Sequence, residues 1–426
     1  MGDLELLFAL LFAAVLLVRA ADRLSVPYPI VLVIAGLALA FVPGMPEIEL
    51  DGHVVLLVFI PPLLMSAGWS SSPRELRAES RALWALALAL VCVTIVAVAV
   101  AAHALVAGLS WPAAVMLGAV VAPTDAVAAV ATFSSVRVPR RVQMLVQGES
   151  LINDATGLTA FRVAVTAATA GAFSWAEAFG EFVLAAAGGA VIGVAVGWLV
   201  LRVIRRVPDV TVSVLLTILA AYTSYIAAEQ VDASGILAAA VCGLYGGWNQ
   251  SRYLDADTRL TANAFWKILV FGLEALLFVL LGLQLESVVD LLGEGEVSRL
   301  AAIGVALAAI VIAVRVIFAA LPLASGLSRK ERLIVGWCGM RGAISLAAAL
   351  SIAMDIPGRS EVIFLTFVVI LVTLVGQGLT LPALIRTLKL PSDREWSPEE
   401  AVARLEAAQT ALDRLDELED DDRISD

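Results

Sequence analysis

Thirteen apolar stretches of about 20 residues follow one another along the chain and leave little sequence for a water-soluble core. An α-helix of this length crosses the hydrocarbon core of a bilayer, which is about 30 Å thick. Hydrophobic residues make up 61% of the sequence and charged residues 16%, against roughly 45–50% and 25% in soluble domains. The chain is therefore predicted to be an all-α polytopic membrane protein, and a secreted enzyme, a nucleic-acid binder and a disordered scaffold are excluded. The predicted spans are 4–21, 27–43, 54–70, 82–107, 111–133, 142–170, 177–204, 210–228, 233–248, 261–287, 298–322, 331–355 and 361–388.

Lysine and arginine alternate between successive connections of these spans. One set of connections holds 19 basic residues, and the other holds only Arg299 and Arg359. Because basic connections stay in the cytoplasm, the sequence predicts an outside N-terminus, thirteen crossings and a cytoplasmic C-terminus. The first span is not predicted to be a removable signal peptide, since Asp3 and Glu5 precede it where such a peptide carries basic residues.

The net charge of −11 is concentrated in residues 391–426, which hold thirteen acidic and four basic residues. This segment is predicted to be a separate acidic cytoplasmic tail, with a helix that starts at the capping sequence Ser397-Pro398-Glu399-Glu400. A solvated end and a pH-sensing or partner-docking element are both open for it. The three cysteines and two histidines show no metal-ligand spacing, so no cofactor is predicted.

Three arginines and four acidic residues stand out deep inside the predicted spans. A charged side chain at membrane depth is costly, so it faces the bundle interior and marks either a substrate path or the ion-paired support of one. Both interpretations are open for each residue taken alone. The seven are Asp125, Glu149, Asp154, Arg162, Glu274, Arg315 and Arg341.

Two spans are predicted to be interrupted. Span five contains Pro123-Thr124-Asp125, where proline breaks the helical hydrogen bonds and the freed carbonyls and the hydroxyl offer oxygen ligands to a hard cation. A simple kink with Asp125 capping the next half-helix is the alternative. Span twelve contains Gly339-Met340-Arg341-Gly342, whose arginine can balance a carboxylate of span six. Spans five and twelve are each fifth in a set of six, one to six and eight to thirteen, so inverted repeats are expected.

Span six concentrates polar residues. Glu149 and Asn153 are four residues apart and share one helix face, and Ser150 and Asp154 share the adjacent face. Core packing requires no such cluster, whereas hard monovalent cations are bound by oxygen donors of this kind. The segment is therefore predicted to contribute a cation-binding site.

These motifs resemble those of the cation:proton antiporter-1 family, the bacterial relatives of animal sodium/proton exchangers. The resemblance covers nearly all of residues 1–390. Its most specific part is the span-six segment combined with the glycine-arginine motif of span twelve. The matching motifs are Pro27-Tyr28-Pro29-Ile30, Pro61-Pro62-Leu63-Leu64, Pro123-Thr124-Asp125, Gly148-Glu149-Ser150, Asn153-Asp154, Gly282-Leu283-Gln284 and Gly339-Met340-Arg341-Gly342.

The resemblance implies roles for the polar residues of this chain. Asp154 is expected to bind Na⁺ and H⁺ in alternation, and Thr124 and Ser150 are expected to be further Na⁺ ligands. Glu149 is expected beside the site, linked to Arg341.

Two further residues are assigned supporting roles, and the chain departs from the family pattern nearby. Asn153 stands where electrogenic relatives carry a second aspartate, and Asp125 is expected to hold the crossing of the broken helices. Ser66 lies where the family usually has an acidic residue, a charge that Glu274 is expected to supply instead. Ala126 replaces a usual proline after the span-five motif.

The family fold also implies an assembly and an activity. The antiporter domain, residues 1–390, is expected to form a homodimer in the bacterial plasma membrane, with spans 1–3 and 7–10 as a static dimer domain and spans 4–6 and 11–13 as a moving core. The expected activity is elevator-like, electroneutral one-for-one exchange of Na⁺, or Li⁺, for H⁺. A K⁺/H⁺ or broad monovalent cation exchanger and a non-transporting sensor remain alternatives. An intramembrane hydrolase is disfavoured, since Asp125 and Asp154 lie in no protease motif.

Overall fold

The computed structural model describes residues 3–24, 26–42, 52–133, 136, 138–169, 175–207, 209–292, 295–321, 327–390 and 398–420. All regular secondary structure in these ranges is helical, and they contain no strand, so the predicted all-α class is confirmed. In the tail, the helix Pro398–Asp420 is described. The predicted capping residue Ser397 and the residues after 420 lie outside the described ranges.

The helices are labelled in chain order, with a and b for the two halves of an interrupted helix. Two short helices, Pro73–Ala78 and Leu285–Asp290, follow α3 and α10. The labelled helices are α1 (Asp3–Leu24), α2 (Tyr28–Ala40), α3 (Gly52–Ser70), α4 (Ser80–Leu105), α5a (Trp111–Val121), α5b (Ala126–Phe133), α6 (Arg140–Thr169), α7 (Trp175–Ile204), α8 (Val210–Glu229), α9 (Gly235–Tyr253), α10 (Ala256–Leu283), α11 (Glu296–Ala320), α12a (Arg329–Trp337), α12b (Ala343–Leu350), α13 (Arg359–Leu388) and α14 (Pro398–Asp420).

Seven helices of the described ranges are long and apolar enough to cross a membrane. They are α4, the whole of α5, the part of α7 from Phe179, α8, α10, α11 and α13. Two of the remaining helices fall short of these criteria for visible reasons. Helix α6 carries charged residues along its length, and each half of α12 is short. The described part of every predicted span overlaps one of the helices α1 to α13, while the count of thirteen crossings stays a prediction.

Both predicted interruptions are present. Helix α5a ends at Val121 and α5b begins at Ala126, and the break between α12a and α12b runs from Cys338 to Gly342. The two non-helical segments lie against each other, because the backbone N–H of Asp125 donates to the carbonyl of Met340 over 2.8 Å. The backbone N–H of one break and the carbonyl of the other, which have no helical partner, therefore satisfy each other.

Helices α2 and α10 approach so closely that their backbones touch. A Cβ atom on Gly36 would lie 2.3 Å from the carbonyl oxygen of Val279, and one on Gly282 would lie 2.3 Å from that of Val33. Small residues permit this kind of contact between membrane helices. The close packing brings the start of α2 next to the middle of α10, where two of the residues considered below meet.

Candidate functional site

A cavity of about 1070 Å³ separates two groups of helices. Residues of α3, α9 and α10 line one side, and residues of α5b, α6 and α12b line the other. Its lining includes the exposed Ser70, Gln147 and Lys267, so the cavity opens at the end of the bundle that carries the basic connections. Asp125 and Asp154 lie on its inner wall. Water and small cations can therefore reach these carboxylates from one end of the molecule.

Asp154 is the carboxylate of this wall that the protein leaves without a partner. Its side chain is half-buried, and within the described residues it accepts no hydrogen bond and forms no ion pair. The charged groups near it are Asp125, Arg341 and Glu149. A carboxylate that faces a cavity with no protein donor is free to bind a cation or a proton.

The break in α5 is tied to α6 by three polar side chains. The Ser150 hydroxyl donates to the Thr124 carbonyl over 2.8 Å and accepts from the backbone N–H of Ala126 over 3.3 Å. The Asn153 amide donates to the Thr124 hydroxyl over 2.7 Å. The structure thus brings Thr124, Ser150 and Asn153 together, and Ser150 and Asn153 precede Asp154 on α6 by four residues and one residue.

The amide oxygen of Asn153 adds an unused acceptor to this group. Asn153 is 1% exposed, and its Oδ1 atom has no hydrogen-bond partner among the described residues. Buried polar atoms are normally hydrogen-bonded. An oxygen without a donor beside the α5 break suits a site whose occupant is positively charged.

Asp125 caps the second half of the broken helix. Its Oδ1 accepts the backbone N–H of Val127 over 2.8 Å, and a Cβ atom on Gly342 would lie 2.7 Å from its Oδ2. The two interpretations of the span-five motif are therefore combined in one segment: a capped half-helix, and a non-helical turn whose carbonyls accept hydrogen bonds from the side chains of Ser150 and Arg341. Asp125 bonds to the other break through its backbone N–H, and its side chain caps α5b.

The predicted pairing of Arg341 with Glu149 is wrong. The guanidinium of Arg341 instead donates from Nη1 to the carbonyl of Ala122 and, over 2.7 Å, to that of Pro123. These carbonyls lie in the α5 break and lack a helical hydrogen-bond donor. They therefore accept hydrogen bonds from Arg341, which lies in the α12 break. Arg341 stabilises the break in α5 and does not neutralise the carboxylate of α6.

Glu149 pairs with Arg315 of α11. The two side chains form a bidentate ion pair in which Nη2 lies 2.8 Å from Oε2, and each is 1% exposed. Arg315 also donates from Nε to the Val335 carbonyl over 3.2 Å. A Cβ atom on Gly339 would lie 2.5 Å from Cδ of Arg315, so this glycine makes space for the arginine. The sequence singled out Arg315 as an intramembrane charge but not its partner.

A third acidic residue, Glu274, lines the same cavity from α10. Oε2 of Glu274 accepts a hydrogen bond from the Tyr28 hydroxyl over 3.1 Å, and the Tyr28 and Phe271 ring centroids are 5.7 Å apart. Ser66 lines the cavity as well. Glu274 thus faces the same cavity as Ser66, the position at which the family usually has an acidic residue. That Glu274 supplies the missing charge stays a prediction.

The fit of the α5 break against α6 can be tested with Gly157→Ala. A Cβ atom on Gly157 would lie 2.3 Å from Cγ of Pro123, whose ring cannot rotate away. We expect this variant to lose about 1–3 kcal/mol of stability through overpacking, measured as thermal unfolding in detergent. Gly272→Ala is the matched control, because no atom lies within 4 Å of the added Cβ on α10. Equal unfolding temperatures for the two variants would contradict the packing.

Comparisons with known proteins identify the family and the fold of the chain. The family model described as "Sodium/hydrogen exchanger, transmembrane" matches residues 7–387. An uncharacterized Na⁺/H⁺ exchanger of Mycobacterium tuberculosis is 35% identical over 98% of this chain and 80% of its own length. A sodium, potassium, lithium and rubidium/H⁺ antiporter of Bacillus pumilus is 33% identical over 84% of this chain and 58% of its own length. The sodium proton antiporter NhaP1 of Methanocaldococcus jannaschii, solved at pH 8, superposes with a TM-score of 0.75 at 22% identity, covering 90% of this chain and 98% of that one.

Proposed function

The chain belongs to the sodium/hydrogen exchanger family of monovalent cation:proton antiporters, and on that premise we propose that it exchanges Na⁺ or Li⁺ for H⁺ across the bacterial plasma membrane. The family consists of transporters, so the hydrolase alternative is set aside. The single observation that carries the proposal is the Asp154 carboxylate on the cavity wall, which has no hydrogen-bond or ion-pair partner among the described residues. We propose the orientation that the basic connections imply, with the cavity open to the cytoplasm, and a homodimer as the functional unit.

Asp154 carries both transported species in this mechanism. Na⁺ needs oxygen ligands and H⁺ needs a basic oxygen, and one carboxylate cannot hold both at once. The Thr124 and Ser150 hydroxyls and the backbone oxygens of the α5 break complete the shell around Na⁺ after small rotations that exchange their present hydrogen bonds. Occupancy by Na⁺ at one face and by H⁺ at the other then couples the two fluxes.

Movement of the loaded site completes the cycle. We propose that helices α4 to α6 and α11 to α13 move as a core past α1 to α3 and α7 to α10, in the elevator-like manner expected from the sequence. The cavity lies between members of these two groups, which is the place where such a movement opens and closes access. A sensor without transport would not need a carboxylate that is left free in a cavity of this size.

A direct flux measurement tests the proposal. The purified protein is reconstituted into proteoliposomes that carry a pH dye, and Na⁺, Li⁺ and K⁺ gradients are imposed in turn. We expect Na⁺ and Li⁺ to drive a pH change that K⁺ does not drive. The Bacillus pumilus relative, named for four cations, supports a broad exchanger as the second candidate. Equal responses to Na⁺ and K⁺ would establish that candidate, and no response to any cation would reject antiport.

The stoichiometry gives a separate prediction. Glu149 is neutralised by Arg315, and residue 153 is an amide, so Asp154 is the group of the site that we expect to change protonation. One proton then moves for each cation, and no net charge crosses the membrane. An electrogenic cycle would gain or lose about 2.3 kcal/mol per charge at 100 mV.

The measurement is the Na⁺-driven pH change under a potential clamped with K⁺ and valinomycin. We expect rates at 0 and −100 mV to agree, after subtraction of any K⁺ transport measured without Na⁺. A clear acceleration or reversal by voltage would show that a second group titrates, and Glu149 would be the first residue to replace.

A further inference from the structure

The cavity stops abruptly along helix α6. Gln147, Leu151, Asp154 and Leu158 line it at helical spacing, and Arg162, the next residue on the same face, does not. Since a helix rises 1.5 Å per residue, the lining of α6 ends about 6–12 Å along the helix beyond Asp154. The path from Asp154 to the far end of the bundle is therefore closed between Leu158 and Arg162.

Thr159 meets the start of helix α9 at this point. Its hydroxyl lies 2.9 Å from that of Ser234, which like Thr159 is 2% exposed and caps α9 by accepting the backbone N–H of Leu237 over 3.2 Å. The backbone N–H of Ser234 donates to the carbonyl of Ala185 in α7 over 2.9 Å, so Ser234 is held by the helices behind it. The contact joins α6 to a rigid corner of the other helix group.

One turn further on, Arg162 of α6 makes a second connection to the same corner. Its Nη1 lies 2.7 Å from Oε1 of Glu229 and 3.0 Å from the Ala233 carbonyl, and its Nη2 lies 3.7 Å from Asp232. The same Oε1 of Glu229 accepts the backbone N–H of Gly235 over 3.1 Å. The side chains of Arg162 and Glu229 are 36% and 35% exposed, so this ion pair borders solvent.

Helices α6 and α9 are thus joined at one end and apart at the other. They touch through Thr159 and Ser234, whereas Gln147 of α6 and Gln250 of α9 both face the open cavity. Access from the far end requires the joined ends to separate. From this geometry we propose that Thr159 and Arg162 of α6, with Glu229, Asp232 and Ser234, form a latch that closes the outer path and must break in every transport cycle.

The composition of the latch suits a contact that opens and closes. An ion pair at a solvent border contributes about 0–1 kcal/mol, because water replaces it at little cost. The buried pair of Glu149 and Arg315 has no such replacement and lies within the group that moves as one body. The structure therefore places a breakable ion pair between the groups and a permanent one inside a group.

The inference rests on the proposed alternating access, and a reversible cross-link tests it. Thr159 and Ser234 are both replaced by Cys in a Cys92→Ala background, since Cys92 is exposed while Cys242 and Cys338 are buried. Two equivalents of added Cu(II) phenanthroline accept the two electrons of the thiol pair and two protons pass to solvent as the disulfide forms, and dithiothreitol reduces the disulfide again by thiol–disulfide exchange. The 2.9 Å separation of the present hydroxyls is within reach of the S–S bond after small rotations.

We expect oxidation to reduce Na⁺/H⁺ exchange at least about tenfold, reduction to restore it, and each single-cysteine variant to be unaffected. Full cross-linking with unchanged exchange would overturn the latch, and so would a failure of the pair to cross-link. Both results are distinct from an unsubstituted protein that shows no exchange, which would reject the proposed function instead.

A second variant reports the same closure without a cross-link. Glu229→Gln removes the latch charge at constant size, and Glu286→Gln is the matched control because Glu286 is exposed. A cysteine at Leu158, next to the closure, is labelled with a membrane-impermeant maleimide from the Arg162 side. We expect Glu229→Gln to raise the labelling rate about two- to fivefold, as the loss of a solvent-bordering ion pair allows. An unchanged rate in Glu229→Gln would overturn the role of the ion pair.

Discussion

Asp154→Asn is expected to reduce exchange to the background of empty proteoliposomes while the protein remains folded. Asparagine matches aspartate in size, so the half-buried site keeps its packing. The amide cannot take up and release a proton, and it offers Na⁺ one neutral oxygen in place of a charged carboxylate. Residue 154 then carries neither H⁺ nor Na⁺ across the membrane. The measurement is the Na⁺-driven pH change in proteoliposomes, with thermal unfolding in detergent as the check on folding.

The matched control is Asp355→Asn, the same chemical change at an exposed aspartate outside the site. We expect Asp355→Asn to exchange at the parental rate. If Asp154→Asn kept more than a small fraction of the parental exchange, the carrier would have to be another carboxylate of the cavity. Asp125 and Glu274 would then be the residues to replace next.

The elements that the sequence predicted best are those with local causes. A proline followed by a hydroxyl and a carboxylate marks the α5 break at Pro123, and three glycines around Arg341 mark the α12 break. Helical spacing places Glu149, Ser150 and Asp154 on adjacent faces without reference to any other helix. In each case, the residues that determine the feature are neighbours in sequence.

The pairing of Glu149 could not be predicted in the same way. The sequence offers several intramembrane arginines, and the choice between Arg315 and Arg341 depends on which helix packs against which face of α6. Arg341 instead donates hydrogen bonds to the Ala122 and Pro123 carbonyls. These carbonyls lie near Arg341 only because the two breaks cross in the folded protein. The sequence signal for Arg315 was its isolation in the apolar second half of α11.

The contact between Arg162 and Glu229 shows the same limit. Both residues are visible as charged, but their meeting depends on how α6 lies against the corner between α8 and α9. The cavity is likewise a property of packing, since its lining comes from helices that are distant in sequence. The family was recognisable from the local motifs, whereas the cavity and the contact between Arg162 and Glu229 required the structure.

The largest expected effect on stability belongs to the buried pair of Glu149 and Arg315. In Arg315→Gln, the carboxylate of Glu149 stays 1% exposed without a cation, which costs about 3–5 kcal/mol. We expect a large fall in the unfolding temperature in detergent and low expression. Arg162→Gln is the matched control: its ion pair is about one-third exposed, so water replaces the lost partner and the change stays within about 1 kcal/mol.

The double variant Glu149→Gln/Arg315→Gln separates the two causes of this loss. If the cost in Arg315→Gln is the unpaired buried charge, removal of the carboxylate as well restores much of the stability, because two neutral amides can hydrogen-bond to each other. If the double variant is as unstable as the single one, the cost comes from lost packing of the arginine against Gly339 and Val335. Restored stability together with altered exchange would show that Glu149 also acts in transport, since the Asn153 amide lies 3.5 Å from its Oε1 and links it to the break beside Asp154.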